Sequence, residues 1–189
     1  RLVNDLGVPK TSFKATDLVI IANPVKSSDG LHRNRRITQI TEVRKNWEDD
    51  PMIENGFCDL FKYNSANDRL EITDDLINGE SDILKSIGSN VKQWAGNWDA
   101  IWDIVTLRGE IKKFQIEVST MLNNEKILEA APTIDCNEMF HKISARINEQ
   151  HGKIDANKIL FEFKHWYKDY IKRYLTKEEE LFLNSNLKL

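Results

Sequence analysis

The chain has 189 residues, of which 40% are hydrophobic and 30% are charged, and its formal net charge at pH 7 is −3. This composition excludes an intrinsically disordered chain, and the length allows one ordinary domain or two small ones. The mild negative charge gives no reason to expect nucleic acid or an anionic membrane as the main partner. Since no apolar run reaches the roughly 20 residues of a membrane helix, we expect a cytoplasmic protein.

The first residues, RLVNDLGVP, are typical of the last turns of a helix that Gly7 and Pro9 bring to an end. The chain opens on Arg1, and the beginning of this helix is not present. We therefore expect a piece of a longer protein, although a cleaved or renumbered chain would look the same.

Three β-rich segments follow. The apolar run from Leu18 to Ala22 predicts a central strand that is covered on both faces. Turn residues from Ser27 to Gly30 lead to RRITQITEV, Arg35 to Val43, where apolar residues at every third position predict a strand with a bulge or a covered edge. The alternation from Phe57 to Ile72, interrupted by NSAND, predicts a hairpin.

From Thr73 onward the hydrophobic period becomes that of helices. We expect a short helix from Asp82 to Ile87 that Gly88 ends, and a long one from Trp98 to Leu122 with a kink near Gly109.

Two further helices are indicated by their caps. Asp135 or Asn137 is expected to begin the first, which Gly152 ends, and Asp155 the second. The tail after Leu175 is expected to add one helical turn and then fray. Wide apolar stripes on these helices predict a bundle of three or four helices.

Motifs that would carry catalysis are missing from the sequence. It contains no G-x-x-x-x-G-K-[ST], no G-x-G-x-x-G and no G-x-S-x-G. The four histidines lack metal-ligand spacing and the two cysteines, Cys58 and Cys136, lie far apart, so we expect no metal site and two reduced thiols. The acid pairs Asp49–Asp50 and Asp74–Asp75 are expected to cap backbone amides. A nucleophilic triad stays open, because its members need not be close in sequence.

The run HRNRR contains the first candidate interaction residues, Arg33, Arg35 and Arg36. Arginine suits bidentate contacts to phosphate or carboxylate, so this segment can contact a nucleotide, a nucleic acid or an acidic neighbouring subunit. The alternative is a basic hairpin rim that pairs with the acids that follow it in the chain.

The second candidate set is Trp94, Trp98 and Trp102, spaced by four residues. This spacing places all three on one helix face if the helix begins early enough. Core packing against the other helices explains such a series, and a docking surface for a protein partner is the alternative.

The segments RLVNDLGVPKTSFKATDLVIIANPV and RRITQITEVRKNWEDDP resemble the C-terminal edge of the motor domain in archaeal type II/IV secretion-system ATPases, which drive assembly of type IV pili and related filaments. The resemblance covers Arg1 to Pro51 and continues more weakly through the later hairpin and the long helix. It implies an α+β fold in which the strands end a RecA-like sheet. Residues 1–72 would form the edge of the motor domain and residues 73–189 a helical module.

The resemblance further implies a hexameric motor that binds ATP and magnesium through residues upstream of this chain. It transfers no catalytic, cofactor-binding or metal-binding residue to the chain. The expected partners are neighbouring ATPase subunits and a membrane platform protein, without nucleic acid, at a cytoplasmic location peripheral to the membrane. The alternative function is a stand-alone, non-enzymatic adaptor that uses the tryptophan face or the basic rim.

Overall fold

The computed structural model describes residues 3–27, 30–91, 94–152 and 154–187. The chain divides into two compact units, Arg1–Ile101 and Trp102–Leu189, and the division falls inside helix α4, Trp98–Leu122. The first unit contains an antiparallel sheet and the second is helical, so the predicted α+β class with a helical C-terminal region is confirmed. The predicted division at residues 72 and 73 concerns the domains of a longer protein and stays a prediction.

Four strands form the sheet of the first unit and pair in chain order. They are β1 Leu18–Lys26, β2 Arg33–Val43, β3 Phe57–Asn64 and β4 Arg69–Ile72. The predicted hairpin is confirmed as β3 and β4. The predicted bulge in β2 is also confirmed, because the pairing register shifts where β2 faces β1 and again where it faces β3. Ser28 and Asp29 of the predicted turn lie outside the described residues.

Strand β1 corrects one expectation. It is the first strand of the sheet, and β2 is its one neighbouring strand within the described residues. Ile20 is 58% exposed and Ile21, on the other face, is 37% exposed, so the strand is neither central nor covered on both faces. An apolar run indicates that a strand favours burial on both faces. Whether other elements bury those faces depends on residues distant in the sequence. The buried apolar residues of the sheet are Val43, Cys58 and Leu60, and the polar Thr41 and Glu42 of β2 are buried beside them.

A buried carboxylate joins the sheet to one helix of the first unit. The helices of this unit before α4 are α1 Lys10–Lys14, α2 Asp74–Ile77 and α3 Asp82–Ser89. Glu42 of β2 is 1% exposed and accepts hydrogen bonds from Ser81 Oγ at 2.6 Å, from the backbone N–H of Asp82 at 2.9 Å and from that of Ile83 at 3.2 Å. Ser81 itself caps α3 through the N–H of Leu84. One strand carboxylate therefore satisfies the open N–H groups at the start of α3.

Two helix boundaries in the first unit differ from the predictions. Of the predicted helix end, residues 3–6 form a turn that Gly7 follows with φ +65°, and Arg1 and Leu2 lie outside the described residues. Gly88 lies inside α3 and does not end it. A Cβ at this glycine would lie 2.3 Å from Ile101 Cδ1, so the missing side chain allows close packing there.

The second unit contains the rest of α4 with α5 Ala130–His151, α6 Ala156–Tyr170 and α7 Lys177–Asn186, and two short 3₁₀ segments, Glu125–Leu128 and Ile171–Tyr174. As predicted, α4 spans Trp98–Leu122, Gly152 with φ +69° follows α5, and Asp155 caps α6.

Two helices of this unit are longer than expected. Helix α5 begins at Ala130, before both predicted caps, Asp135 and Asn137. Helix α7 has 10 residues, whereas one turn was predicted, because Thr176 and Glu179 form a reciprocal capping box at its start. Gly109 lies within the continuous helix α4, and the kink predicted there stays a prediction.

Aromatic side chains fill the core of the second unit. Phe114 and Tyr167 meet edge to face with ring centroids 5.8 Å apart, and Phe163 is fully buried. The Tyr170 hydroxyl donates to Asp135 Oδ2 at 2.6 Å. These contacts explain why the wide aromatic stripes in the sequence belong to packed helices.

The two cysteines are free and buried, Cys58 in the first unit and Cys136 in the second. Burial raises the pKa of Cys58, and it raises the pKa of Cys136 to about 11. Both thiols therefore stay protonated at neutral pH.

Replacing Glu42 with Gln is expected to destabilise the chain by about 2 kcal/mol, because the neutral amide cannot accept all three hydrogen bonds and removes a negative charge from the start of α3. The measurement is urea unfolding, with a lower midpoint at an unchanged slope. Glu48→Gln, at an exposed position, is the matched control and should leave the midpoint unchanged. Equal midpoints for the two variants would contradict the role of Glu42.

A pair of glycine substitutions tests the two helices. Gly88→Ala should lower the free energy of unfolding by at least about 1 kcal/mol, because the new methyl group overlaps the buried Ile101 side chain. Gly109→Ala meets no atom within 4 Å and should raise it by about 0.5 to 1 kcal/mol, since alanine favours helix. Thermal unfolding of both variants is the measurement, and a shift in the same direction would contradict the packing.

Candidate interaction surface

The outer edge of β1 is the first feature of the surface. Within the described residues no strand pairs with this side of β1, so its outward N–H and C=O groups are open. The segment from Leu18 to Ala22 exposes apolar side chains on both faces. Pro24 and Lys26, which discourage edge pairing, lie at the hairpin end of the strand. The apolar segment is therefore suited to pairing with a further strand.

The register of β1 and β2 defines a second feature. Every second residue of a strand shares a face, and residues directly opposite each other across two strands lie on the same face. On one face of β1 lie Ile20, Ala22, Pro24 and Lys26, opposite Ile40, Ile37, Arg35 and Arg33 of β2. We call the exposed part of this face, which carries Ile20, Lys26, Arg33, Arg35 and Ile37, the basic hairpin face.

Apolar residues extend this face across the whole sheet. Ile20 is opposite Ile40, Ile40 is opposite Phe61, and Phe61 is opposite Ile72. Ile20 is 58% and Ile72 is 47% exposed, while the two middle residues are half-buried. The row of four side chains forms an apolar band across the sheet. Along β1, Ile20 of this band lies four residues from Pro24, which is opposite Arg35, and six residues from Lys26, which is opposite Arg33.

Arg36 differs from the other two arginines of HRNRR. It lies opposite Asn23, between positions of the basic hairpin face. Its Nε and one Nη donate to the two oxygens of Asp68, each at 2.8 Å, and the Tyr63 hydroxyl donates to Asp68 as well. These hydrogen bonds lower the pKa of Asp68 to about 2. For Arg36 the structure therefore shows the rim arrangement, in which a basic residue pairs with an acid that follows it.

The three tryptophans do not share one helix face. Helix α4 begins at Trp98, and Trp94 precedes it. Trp98 Nε1 donates to the carbonyl of Ile77 at 2.9 Å and its ring lies against Gly79, which holds the start of α4 to the end of α2. Trp94, Trp98 and Trp102 are all half-buried. Their role in binding a partner stays a prediction.

A groove on the opposite face of the sheet was not indicated by the sequence motifs. It encloses about 720 Å³ between the sheet, α1 and residues 47–52. On its floor Asp59 accepts hydrogen bonds from Thr41 Oγ1 and Gln39 Nε2, both at 2.6 Å, and pairs with Lys62 at 2.9 Å. Partial burial opposes ionisation, yet these three bonds together lower the pKa of Asp59. The carboxylate is therefore held as a structural anion.

Arg36→Gln should return the pKa of Asp68 from about 2 towards its ordinary value of 3.8, because the guanidinium bonds are lost. A folded pKa below the ordinary value adds stability above about pH 4 that is lost as the pH falls towards 2, so the variant should lose less stability in that window. NMR titration of the Asp68 carboxyl carbon measures the change. Arg35→Gln is the control and should leave the pKa of Asp68 unchanged; a shift there would contradict the assignment.

Similarity to known proteins adds no constraint on this surface. Comparison with protein-family models, with curated proteins and with solved structures finds no match to the chain. In residues 3–27, 30–91, 94–152 and 154–187 no helix is both long and apolar enough to cross a membrane. The same residues include no cluster of three or more histidine, cysteine or acidic side chains arranged to hold a metal ion.

Proposed function

We propose that this chain is the C-terminal part of a hexameric type II/IV secretion or pilus-assembly ATPase. In that motor it provides subunit contacts and coupling to a membrane platform protein, and catalysis resides in residues outside the chain. The proposal rests on the sequence resemblance of Arg1 to Pro51 together with one structural observation, the open apolar edge of β1.

The β1 edge supports this function through its energetics. Burying an isoleucine side chain is worth about 1.5 to 3 kcal/mol, and Ile20 and Ile21 are both partly exposed on opposite faces. A neighbouring strand on the open side would also satisfy the outward backbone groups of β1. In the proposed motor β1 and β2 complete a larger sheet, which supplies that strand.

The other features suit contacts between proteins. The basic hairpin face combines exposed isoleucines with three cations, a composition that fits an acidic protein surface. The parent motor would bind ATP and magnesium elsewhere, and this chain would act on the cytoplasmic side of the membrane through its partners. Nucleic acid is not among the proposed partners, since the chain has a net charge of −3.

A second function, the stand-alone interaction adaptor, is favoured by a different observation. The four strands pair with one another in chain order, and Glu42 links them to α3 within the same unit. Such a unit has a core of its own. The two functions differ in one sequence feature, because the motor requires a phosphate-binding G-x-x-x-x-G-K-[ST] in the reading frame upstream of Arg1.

Hydrogen exchange of β1 tests the motor proposal. In the isolated 189-residue chain the outward amides between Leu18 and Ala22 should exchange rapidly, because they bond to no strand. In the protein translated from the whole reading frame the same amides should exchange at least about tenfold more slowly, because a strand of the larger sheet accepts them.

The control is β2, whose amides between Ile40 and Val43 bond within the sheet and should exchange slowly in both proteins. Equal, rapid exchange of β1 in the two proteins would contradict the larger sheet and favour the adaptor.

A further inference from the structure

The groove between the sheet, α1 and residues 47–52 is large enough for a small organic molecule. Its volume of about 720 Å³ lies within the usual range of ligand pockets, about 300 to 1,000 Å³. Apolar side chains form much of its wall, namely Phe13, Val19, Ile21, Met52 and Phe57. Polar side chains meet on its floor, where Gln39, Thr41 and Asp59 are hydrogen-bonded to one another. A matching ligand has an apolar body and one polar end.

The polar floor offers acceptors to a ligand, because its donors are already used. Gln39 Nε2 donates to Thr41 Oγ1 at 2.7 Å and to Asp59 Oδ1 at 2.6 Å, and Thr41 Oγ1 donates to the same carboxylate oxygen at 2.6 Å. Among the described residues none donates to Gln39 Oε1. The side chain of the Asp59 anion is 25% exposed, so a ligand can reach it. The polar end of the ligand therefore has to donate hydrogen bonds beside a negative charge.

The charged side chains around the groove are acidic on balance. Carboxylates of the floor and of the adjoining loop outnumber the lysines beside them, and these groups are Glu48, Asp49, Asp50, Glu54 and Asp59 against Lys10, Lys14 and Lys62. Lys45 and Asp17 form a neutral pair nearby. Two of the three lysines are engaged away from the floor, since Lys10 pairs with Asp49 and Lys14 lies over the Trp47 ring.

Lys62 is the cation that a ligand would meet on the floor. Its Nζ lies 2.9 Å from Asp59 Oδ2, and its side chain is 63% exposed. An ion pair this exposed contributes about 0 to 1 kcal/mol. A positively charged ligand can therefore replace Lys62 at Asp59 at small cost.

The walls of the groove are fixed by contacts within the first unit. The Glu54 carboxylate accepts three backbone N–H groups at 2.7 to 2.8 Å, those of Glu48, Asp49 and Asp50. On the other side Phe13 of α1 packs edge to face against Phe57, with ring centroids 6.2 Å apart. Because these contacts exist without a ligand, binding does not have to order the groove.

We propose that this groove binds a small organic ammonium ion, a protonated primary amine on an apolar body. An ammonium group has three donors and no acceptor, which matches a floor of acceptors. It donates to Gln39 Oε1 and to the Asp59 carboxylate, where it takes the place of Lys62. The body lies against the apolar wall and gains from the burial of its surface. This site goes beyond the proposed function, because it needs neither a larger sheet nor a partner protein.

Titration of the isotope-labelled chain with phenethylammonium, followed by the NMR shifts of its backbone amides, tests the site. We expect saturable binding with shifts confined to the lining of the groove, including the amides of Gln39, Thr41 and Asp59. Phenethyl alcohol has the same body without the charge and should bind at least about tenfold more weakly. Hydrocinnamate should not bind, because its carboxylate would meet acceptors and a negative charge.

Two substitutions change the floor in opposite directions. Lys62→Met removes the cation that competes for Asp59 and should strengthen phenethylammonium binding about twofold to fivefold. Asp59→Asn should weaken it at least about tenfold, because a hydrogen bond to a charged acceptor is lost. Lys113→Met and Glu117→Gln are the matched controls, since they remove the same charges at exposed positions of the second unit, and both should leave the affinity unchanged. The Lys62 variant alters an exposed side chain, so it tests the site even where Asp59→Asn impairs folding.

Several results would overturn the ammonium site. They are equal affinities for phenethylammonium and phenethyl alcohol, shifts that do not saturate or that spread over the surface, and an unchanged affinity in Lys62→Met. A tripeptide Ala-Lys-Ala with blocked ends that bound more tightly than the free amine would assign the groove to a lysine side chain of another protein, which also contradicts a small-molecule site. None of these results bears on the exchange of β1 in the longer protein, so the two proposals fail separately.

Discussion

The first unit depends on the hydrogen bonds of Glu42. A buried carboxylate without donors would cost several kcal/mol, so β2 can bury this side chain only where Ser81 and the first N–H groups of α3 meet it. Arg44 lies close by and donates to the carbonyl of Glu80 at 3.1 Å. Sheet and helix therefore form together. Glu42 and Ile40 lie on the same face of β2. The start of α3 covers this face at Glu42, and the part of the same face near the β1–β2 hairpin stays exposed.

Local signals account for the parts of the fold that the sequence predicted well. The bounds of α4, the cap at Asp155 and the glycine after α5 depend on residues a few positions apart. Two missed boundaries also had local signals. Pro132 lies in the first turn of α5, where proline is well tolerated, and Thr176 with Glu179 matches the capping-box pattern of α7. The edge position of β1 had no local signal, because the residues that could pair with a strand or bury its faces are distant in the sequence.

The candidate surface shows the same limit of local patterns. Adjacent arginines in HRNRR separate into a hydrogen-bonded Arg36 and an exposed Arg35, and this separation follows from strand register and from Asp68, which lies 32 residues after Arg36. Leu181 and Phe182 lie in the tail that the sequence predicted to fray after one helical turn. Their exposure became evident only when Leu183 set the orientation of α7. Composition indicated the chemistry of each surface, and tertiary structure determined which side chains belong to it.

The position of the two cysteines has a practical consequence. Each unit contains one buried, protonated thiol, so neither reacts readily with a thiol reagent while its unit stays closed. The labelling rate of Cys58 therefore reports the opening of the sheet unit, and that of Cys136 reports the opening of the helical unit. The chain thus carries a built-in probe for each half, with which the two local stabilities can be measured side by side in one sample without introducing any substitution.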